Sequence, residues 1–488
     1  MERKHSSRPK GTRSERNARG SHPQEGRPNR NARDSHPQEG GKASSRLGKK
    51  GEAARPNRPA QRQAPTQPGK KEHVQAVRPG GPQPENLPPE GQGGHTPCPV
   101  YRKCGGCQLQ NLNYEEQLRW KERRMIGLMG QFGHVEPVIG MERPLHYRNK
   151  VQAAFGLDRK KRIISGVYQS STHRIVPVDR CMIENEAADA IIVTVRRLLA
   201  DFKLLPYHAD TGRGFLRHVL VRRGFSTGQV MVVLVTGSPV FPSKNHFIGA
   251  LLKKHPEITT VLQNINPGRT SLVLGTQEKT LFGPGFIEDE LCGCVFRISA
   301  QSFYQINPVQ TQVLYETAME YAALSGQETV VDAYCGTGTI GLIAARRGAK
   351  QVVGVEINRE AVRDAIANAK RNQIKNARFY CADAGAWMRD MAAAGEQADV
   401  VLMDPPRAGS DEAFLSSVLT LAPKRVVYIS CNPETLARDV LFLTKRGYRV
   451  QRIQPVDMFP FTNHIEAVVL LTRQKTNAKH GKSPAVAK

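Results

Sequence analysis

Hydrophobic and polar positions divide the chain into three textures. From Met1 to about His95 bulky apolar residues are almost absent, and Arg, Lys, Pro, Gly, Gln and Ser follow one another without a helical or strand period. Such a segment buries too little surface to offset chain entropy, so residues 1–95 are expected to be a disordered tail. From Pro97 to about Cys294 short apolar runs lie between Gly, Asp and Ser. Val151–Phe155, Ile163–Tyr168 and Val230–Val235 read as strands, and Arg217–Arg223 as a strand with a basic face. Tyr114–Met129 and Glu184–Phe202 carry helical spacing. Residues 96–306 are thus expected to form a β-rich central domain.

From about Asn307 the pattern turns to alternating strand and helix. Strands are predicted at 329–333, 351–356, 378–381, 400–403 and 425–430, with helices at 340–347, 359–372 and 411–419. Apolar runs at 450–456 and 466–471 would complete the layer. This alternation predicts an α/β fold with a doubly wound, mostly parallel sheet over residues 307–474, followed by a polar tail at 475–488.

Charge adds a partner to this picture. The chain has 488 residues and a formal net charge of +27. Roughly +11 sits on the first 95 residues and about +16 on the rest, which points to a polyanion, most simply nucleic acid. The tail repeats itself: Arg16-Asn17-Ala18-Arg19 leads to Ser21–Gly26, and the pattern returns 14 residues later as Arg30–Gly40. That unit is too short and too polar for a solenoid and suits a non-specific nucleic-acid arm. No apolar signal core opens the chain and no run of about 18 apolar residues interrupts it, so a cytoplasmic location with no membrane span is expected. There the nine cysteines stay reduced, and clustered ones are expected to bind metal or do chemistry.

Three segments of the last region carry candidate chemistry. Val330–Ala333 runs into Tyr334-Cys335-Gly336-Thr337-Gly338, a strand leading to a glycine turn and a helix, and Glu356 ends the next strand. Glycine permits close backbone approach to a ligand, and an acid at that strand end can accept both ribose hydroxyls. The spacing departs from the three-glycine dinucleotide fingerprint. It looks like the first motif of the S-adenosylmethionine-dependent methyltransferases, with Asp383 following the third strand. Val400–Met403 then delivers Asp404-Pro405-Pro406-Arg407, a turn stiffened by two prolines. Enzymes that methylate amines end a similar turn in an aromatic, so Arg407 argues against an exocyclic amine as target.

The third segment is Ser430-Cys431-Asn432-Pro433, at the mouth of a buried strand. An isolated cysteine there is more often a small buried hydrophobe. Its neighbours suggest more. Carbon 5 of a pyrimidine is a poor nucleophile until a thiolate adds at carbon 6, after which a base must remove the carbon 5 proton. Cys431 would be the thiolate, and Glu466, in His464-Ile465-Glu466, the base. Asp404 or Arg407 would hold the uracil edge or steady developing charge.

These stretches, with Gln301–Asn307 and Asp457–Pro460, closely resemble the RNA 5-methyluridine methyltransferase family over about Pro97 to Arg473. The resemblance implies a Rossmann-like S-adenosylmethionine domain, Cys431 as nucleophile, Glu466 as base, and Gln305, Tyr334, Glu356 and Asp404 around the cofactor. The family's usual N-terminal β-barrel RNA-binding module is not visible, and the basic tail would take part of its work.

Cys98, Cys104 and Cys107, with Cys181 far downstream, form a further set. By spacing alone such thiolates suit zinc or an iron–sulfur cluster. The resemblance favours a [4Fe–4S] cluster as carried by the ribosomal-RNA branch, with all four positions filled and hence a structural or RNA-positioning role. Cys292, Cys294, Cys335 and Cys381 read as ordinary buried or strand cysteines. The expected activity is methylation of uridine carbon 5 in structured RNA, foremost 23S ribosomal RNA, by a monomer. Transfer-RNA methylation, a non-catalytic RNA-binding assembly factor and DNA cytosine methylation are the alternatives. The last usually places its cysteine in a Pro-Cys turn early in the domain, which this chain lacks.

Overall fold

The computed structural model describes residues 98–474 apart from 171, 209, 269 and 271. The expected disordered tail at 1–95, with its repeat, and the tail at 475–488 lie outside the described residues.

The described chain opens with a short helix α1 (Tyr101–Cys104) and a long helix α2 (Tyr114–Met129). Helix α2 starts at a reciprocal cap: Asn113 Oδ1 accepts the Glu116 N–H, and Glu116 Oε2 accepts the Asn113 N–H, both at 2.9 Å. Its buried side is Gln117, Lys121, Met125 and Met129, a row at four-residue steps that includes two polar side chains.

Next comes a seven-stranded sheet in the order β3-β2-β1-β4-β5-β6-β7. Its strands are β1 (Lys150–Leu157), β2 (Ile163–Tyr168), β3 (Ile175–Pro177), β4 (Leu216–Arg223), β5 (Val230–Thr236), β6 (Ile258–Ile265) and β7 (Gln277–Phe282). Helix α3 (Glu186–Asp201) precedes β4, and α4 (Lys244–Lys254) makes the crossover between β5 and β6, the sheet's parallel pair. One face of this sheet (Val151, Phe155, Val219, Val221, Val232, Leu234) packs on Ile191, Val195, Phe247 and Leu251 of the two helices. On the other face Leu220, Met231, Val233 and Val235 join the core of the next layer. The basic face expected of β4 is not a solvated one, because Arg217, His218 and Arg222 are buried.

A hairpin of β8 (Ile287–Leu291) and β9 (Cys294–Ile298) and helix α5 (Pro308–Ala322) lead into the second sheet. This sheet contains β10 (Thr329–Ala333), β11 (Gln351–Glu356), β12 (Ala377–Cys381), β13 (Val400–Met403), β14 (Arg425–Ser430), β15 (Tyr448–Val456) and β16 (Glu466–Arg473). The helices between them are α6 (Thr339–Arg346), α7 (Arg359–Arg371), α8 (Ala384–Ala393), α9 (Glu412–Leu421) and α10 (Pro433–Thr444). Strand order is β12-β11-β10-β13-β14-β16-β15. The first five strands are parallel, and β16 runs antiparallel to both β14 and β15. The order reverses between β10 and β13, and ligands in such sheets bind outside the strand ends at that reversal.

Candidate active site

The polar ends of β10, β11, β13, β14 and β16 meet at one edge of the second sheet. After β10 the chain turns at Tyr334, with φ of 63°, and continues through Gly336 at 53° and Gly338 at 80° into α6. A Cβ on Gly338 would stand 2.9 Å from the Phe379 ring and 3.0 Å from Ala365, so this glycine lets the loop lie close on β12 and α7. A Cβ on Gly336 would meet nothing within 4 Å, which leaves an open cradle above the turn. The Gly336 N–H donates to Glu356 Oε2 at 3.1 Å and the Asn358 N–H to Oε1 at 2.8 Å, so the acid is oriented and each oxygen keeps a free lone pair. Beside it Ile357 is 74 % exposed, an apolar face that sequence reasoning missed. Asp383 spends one oxygen on the α8 cap, accepting the Ala386 N–H at 2.7 Å. Behind the loop Asp332 is buried and accepts the Gly341 N–H at 2.7 Å, while its Oδ1 has no partner; burial pushes its carboxyl up to about 8.

Tyr334 points into the protein. Its hydroxyl donates to Ser410 Oγ at 3.4 Å and its ring lies 4.7 Å from Phe414. Gln305 reaches the same edge from the other side: its side chain hydrogen-bonds the buried Tyr315 hydroxyl, which feels the charges of Asp404, Glu466 and Asp332. Two residues before Gln305, Phe303 is 71 % exposed.

Cys431 follows β14 directly. Asn432 caps α10, with Pro433 at the first helical position, and its backbone N–H donates to Ser430 Oγ at 3.1 Å. The Asn432 side chain donates to the Arg407 carbonyl at 3.0 Å, and Thr435 Oγ1 to the same carbonyl at 3.4 Å. The Asp404–Arg407 turn is thereby fastened to the cysteine turn. Burial pushes the Cys431 thiol up to about 11, and Glu466 and Asp404 push in the same direction, while Arg407 opposes them. Glu466 is 3 % exposed, and its carboxyl is held well above the usual range by burial and then by Asp404, again against Arg407. Desolvation also raises Asp404, to about 7. Arg407 Nη2 lies 3.5 Å from His464 Nε2, and burial, followed by Arg407, lowers that imidazole to about 4. Three of the residues singled out in the sequence, Cys431, Glu466 and Asp404, thus act on one another, with Arg407 as the shared counter-charge.

The four cysteines occupy a separate neighbourhood. Cys107 and Cys181 pack with Met141, Tyr147, Ile183 and Phe461. Cys107 feels Cys104 and Cys98, Cys181 feels Cys107, and burial lifts Cys107 to about 11 and Cys181 to about 12. Among the described residues no group of three or more His, Cys, Asp or Glu is gathered as a metal-holding set, so the four thiols share a region without forming a closed ligand shell. Of the remaining cysteines, Cys294 and Cys335 are buried, Cys292 is half-buried and Cys381 is exposed at the end of β12.

Residues 276–474 match the family model described as tRNA (uracil-5-)-methyltransferase. A protein of Halalkalibacterium halodurans named an uncharacterised RNA methyltransferase is 46 % identical over 381 residues, 77 % of this chain and 83 % of the relative. One of Clostridium acetobutylicum with the same description is 42 % identical over 383 residues, again 77 % of this chain and 83 % of the relative. Among solved structures, the tRNA (uracil-54, C5)-methyltransferase of Pyrococcus abyssi in complex with S-adenosyl-L-homocysteine superposes with a TM-score of 0.63 at 29 % identity, covering 75 % of this chain and 86 % of that one.

Proposed function

The chain belongs to the S-adenosylmethionine-dependent RNA (uracil-5-)-methyltransferases, and we propose that it methylates carbon 5 of a uridine in 23S ribosomal RNA, a substrate favoured by the four thiols Cys98, Cys104, Cys107 and Cys181. The mutual placement of Cys431, Glu466 and Asp404 around Arg407 carries the proposal.

The Cys431 thiolate adds to carbon 6 of the flipped uracil, and the ring electrons move onto oxygen 4. Arg407 lowers the cost of thiolate at Cys431 and would offset the enolate charge that follows. Bound S-adenosylmethionine supplies the electrophilic methyl group. Glu466 then takes the carbon 5 proton, the carbon 5–carbon 6 double bond re-forms, and the Cys431 thiolate leaves. A carboxylate with a raised pKa is a stronger base, which suits it to that proton. Gly336 and Glu356 fit the cofactor's ribose, because the cradle is open and each carboxylate oxygen keeps a lone pair. Gln305, Tyr334 and Asp404 complete its surroundings.

The RNA would lie along the part of the first sheet's second face that the next layer leaves open, where Gln152 and Tyr168 are exposed. There Lys150 stands opposite Arg222, Gln152 opposite Leu220 and Ala154 opposite His218. Tyr168 is 44 % exposed, with its ring 6.0 Å from that of His218. Arg222 donates to the Ser302 carbonyl at 2.5 Å, next to Phe303, and Arg148 acts on both Lys150 and His464, so this face leads to the catalytic edge. A partly open face with one accessible lysine and an exposed aromatic suits unstacked RNA. Cys98, Cys104, Cys107 and Cys181, four free thiols in one region, have the donor chemistry for a [4Fe–4S] cluster, which would be structural. We take the enzyme to be a cytoplasmic monomer; among the described residues no helix is long and apolar enough to cross a membrane.

The test uses RNA carrying 5-fluorouridine, whose carbon–fluorine bond blocks the last proton removal. Incubation of a 23S transcript with enzyme and S-adenosylmethionine should trap a covalent complex that Cys431→Ala abolishes. The Pyrococcus abyssi neighbour, named for uracil 54 of tRNA, favours transfer RNA as the second reading. A complex on tRNA alone would move the substrate there, and none on either RNA would sink the mechanism.

A further inference from the structure

The loop between β15 and β16, Asp457 to Ile465, brings His464 and Glu466 to the active edge, and Phe461 sits within it at φ of 67°. The polar groups that hold this loop come largely from residues 108–124. Lys121 Nζ donates to Asp457 Oδ1 at 2.5 Å and to the Phe459 carbonyl at 3.1 Å. The Tyr114 hydroxyl donates to Asp457 Oδ2 at 2.8 Å. Gln117 Oε1 accepts the Phe461 N–H at 2.8 Å, and the Leu109 N–H donates to the Phe461 carbonyl at 3.0 Å. Arg124 donates to the Asn463 carbonyl at 3.4 Å and pairs with Glu434, in the first turn of the helix that starts beside Cys431.

The keystone is costly. Lys121 and Asp457 are both 0 % exposed at the side chain. A buried ion pair gives little net stability over apolar residues of the same shape, but it fixes geometry through short, directed bonds. The place where that geometry matters is the loop that delivers the base. We infer that α2 is the positioning element of the base: Lys121, with Tyr114 and Gln117, fixes the Asp457–Asn463 loop and through it the reach of Glu466 to the carbon 5 proton. This rests on the assignment of Glu466 as base given above. Lys121 is a positioning residue, since it touches neither substrate nor cofactor.

The experiment compares Lys121→Met and Tyr114→Phe with the unaltered enzyme in three measurements. These are the rate of covalent trapping on 5-fluorouridine RNA, turnover on ordinary RNA, and the isotope effect with uridine deuterated at carbon 5. Trapping precedes proton removal, so it should stay within about twofold of the unaltered enzyme. Turnover should fall ~100-fold in Lys121→Met, the scale of an ångström-sized misplacement, and ~10-fold in Tyr114→Phe. The isotope effect should rise in both, because proton removal becomes limiting. Should Lys121→Met fail to fold, Tyr114→Phe, which loses a single oxygen, carries the test. Trapping and turnover falling together with an unchanged isotope effect would make α2 a mere structural support and overturn the inference, as would unchanged turnover in Tyr114→Phe. Absence of trapping with the unaltered enzyme on any RNA would instead remove the assignment of Cys431, and this inference with it.

Discussion

The two seven-stranded sheets use the same number of strands for opposite purposes. In the second sheet five parallel strands bring their carboxyl ends to one edge, and the order reverses between β10 and β13. Glu356, Asp404 and Cys431 lie at or just beyond strand ends there, and Glu466 opens the antiparallel β16 at the same edge. In the first sheet most neighbours are antiparallel, so its connections are shared between two edges and no single edge collects them. What it offers instead is a face, where Lys150, Gln152, His218 and Tyr168 lie in register. A converging edge suits a reacting atom, and a face that offers Lys150 and the exposed Tyr168 ring suits a polymer. If RNA is held on that face as proposed, bond-making and holding are separate, and variants at the edge and on the face should fail in different ways.

The largest separation is expected at Cys431. Cys431→Ala should lose all covalent trapping on 5-fluorouridine RNA while RNA affinity, measured by filter binding, stays within about twofold. Equal loss of binding and chemistry would break the contrast between edge and face. Glu466→Gln should come next. It retains the thiol, so trapping should persist while turnover on ordinary RNA falls roughly 100- to 10,000-fold, the range for loss of a general base, and the methylated covalent complex should accumulate on gels.

A face variant should behave in the reverse manner. Lys150 is held down to about 8 by burial, Arg222 and Arg148. Below that pH it is a cation available to a phosphate, and above it the charge is lost, so RNA affinity should fall as pH rises through about 8. Lys150→Gln should remove this pH dependence, weaken binding several-fold and lower the salt slope of log affinity by about one, with the turnover of saturated enzyme unchanged. A change in turnover at saturating RNA would place Lys150 in the chemistry.

How much of this was legible in the sequence follows the same division. Strands β2, β10, β11, β13 and β14 and helix α2 stand where periodicity put them, because each is an uninterrupted run with clear punctuation. Strand β7 was hidden because its first four residues are polar and exposed, and β8 and β9 because each has five residues around a Cys292-Gly293 turn. The edge residues were legible because strand ends announce themselves as motifs. That Glu466 stands with Cys431 was read from the chemistry and the family resemblance and not from chain order, because β16 inserts between β14 and β15. Lys121 was missed because a lysine within a helix reads as surface. Extending the Met129–Met125 step of four residues backwards would have landed on Lys121 and Gln117.

The smallest effect concerns what the converging edge costs. Asp332, within β10, has its carboxyl raised to about 8 from the ordinary 3.8, mainly by burial. The unfolded chain releases this proton near 4, whereas the folded chain keeps it until about 8, so between those values the unfolded state binds fewer protons and stability falls as pH rises. Asp404 and Glu466, both raised, act in the same direction. The buried imidazoles of His218 and His464, both lowered to about 4, act in the opposite one up to their ordinary 6.5. The informative quantity is therefore the difference between a variant and its parent. Asp332→Asn keeps an oxygen for the Gly341 N–H and removes the titration, so its melting temperature should decline less between pH 5 and pH 8 than the parent's, by a few degrees for a chain of this size. Parallel decline in the two proteins would mean that Asp332 ionises freely in the fold. The strain of gathering carboxyls at this edge would then fall on Asp404 and Glu466, the two that face Cys431.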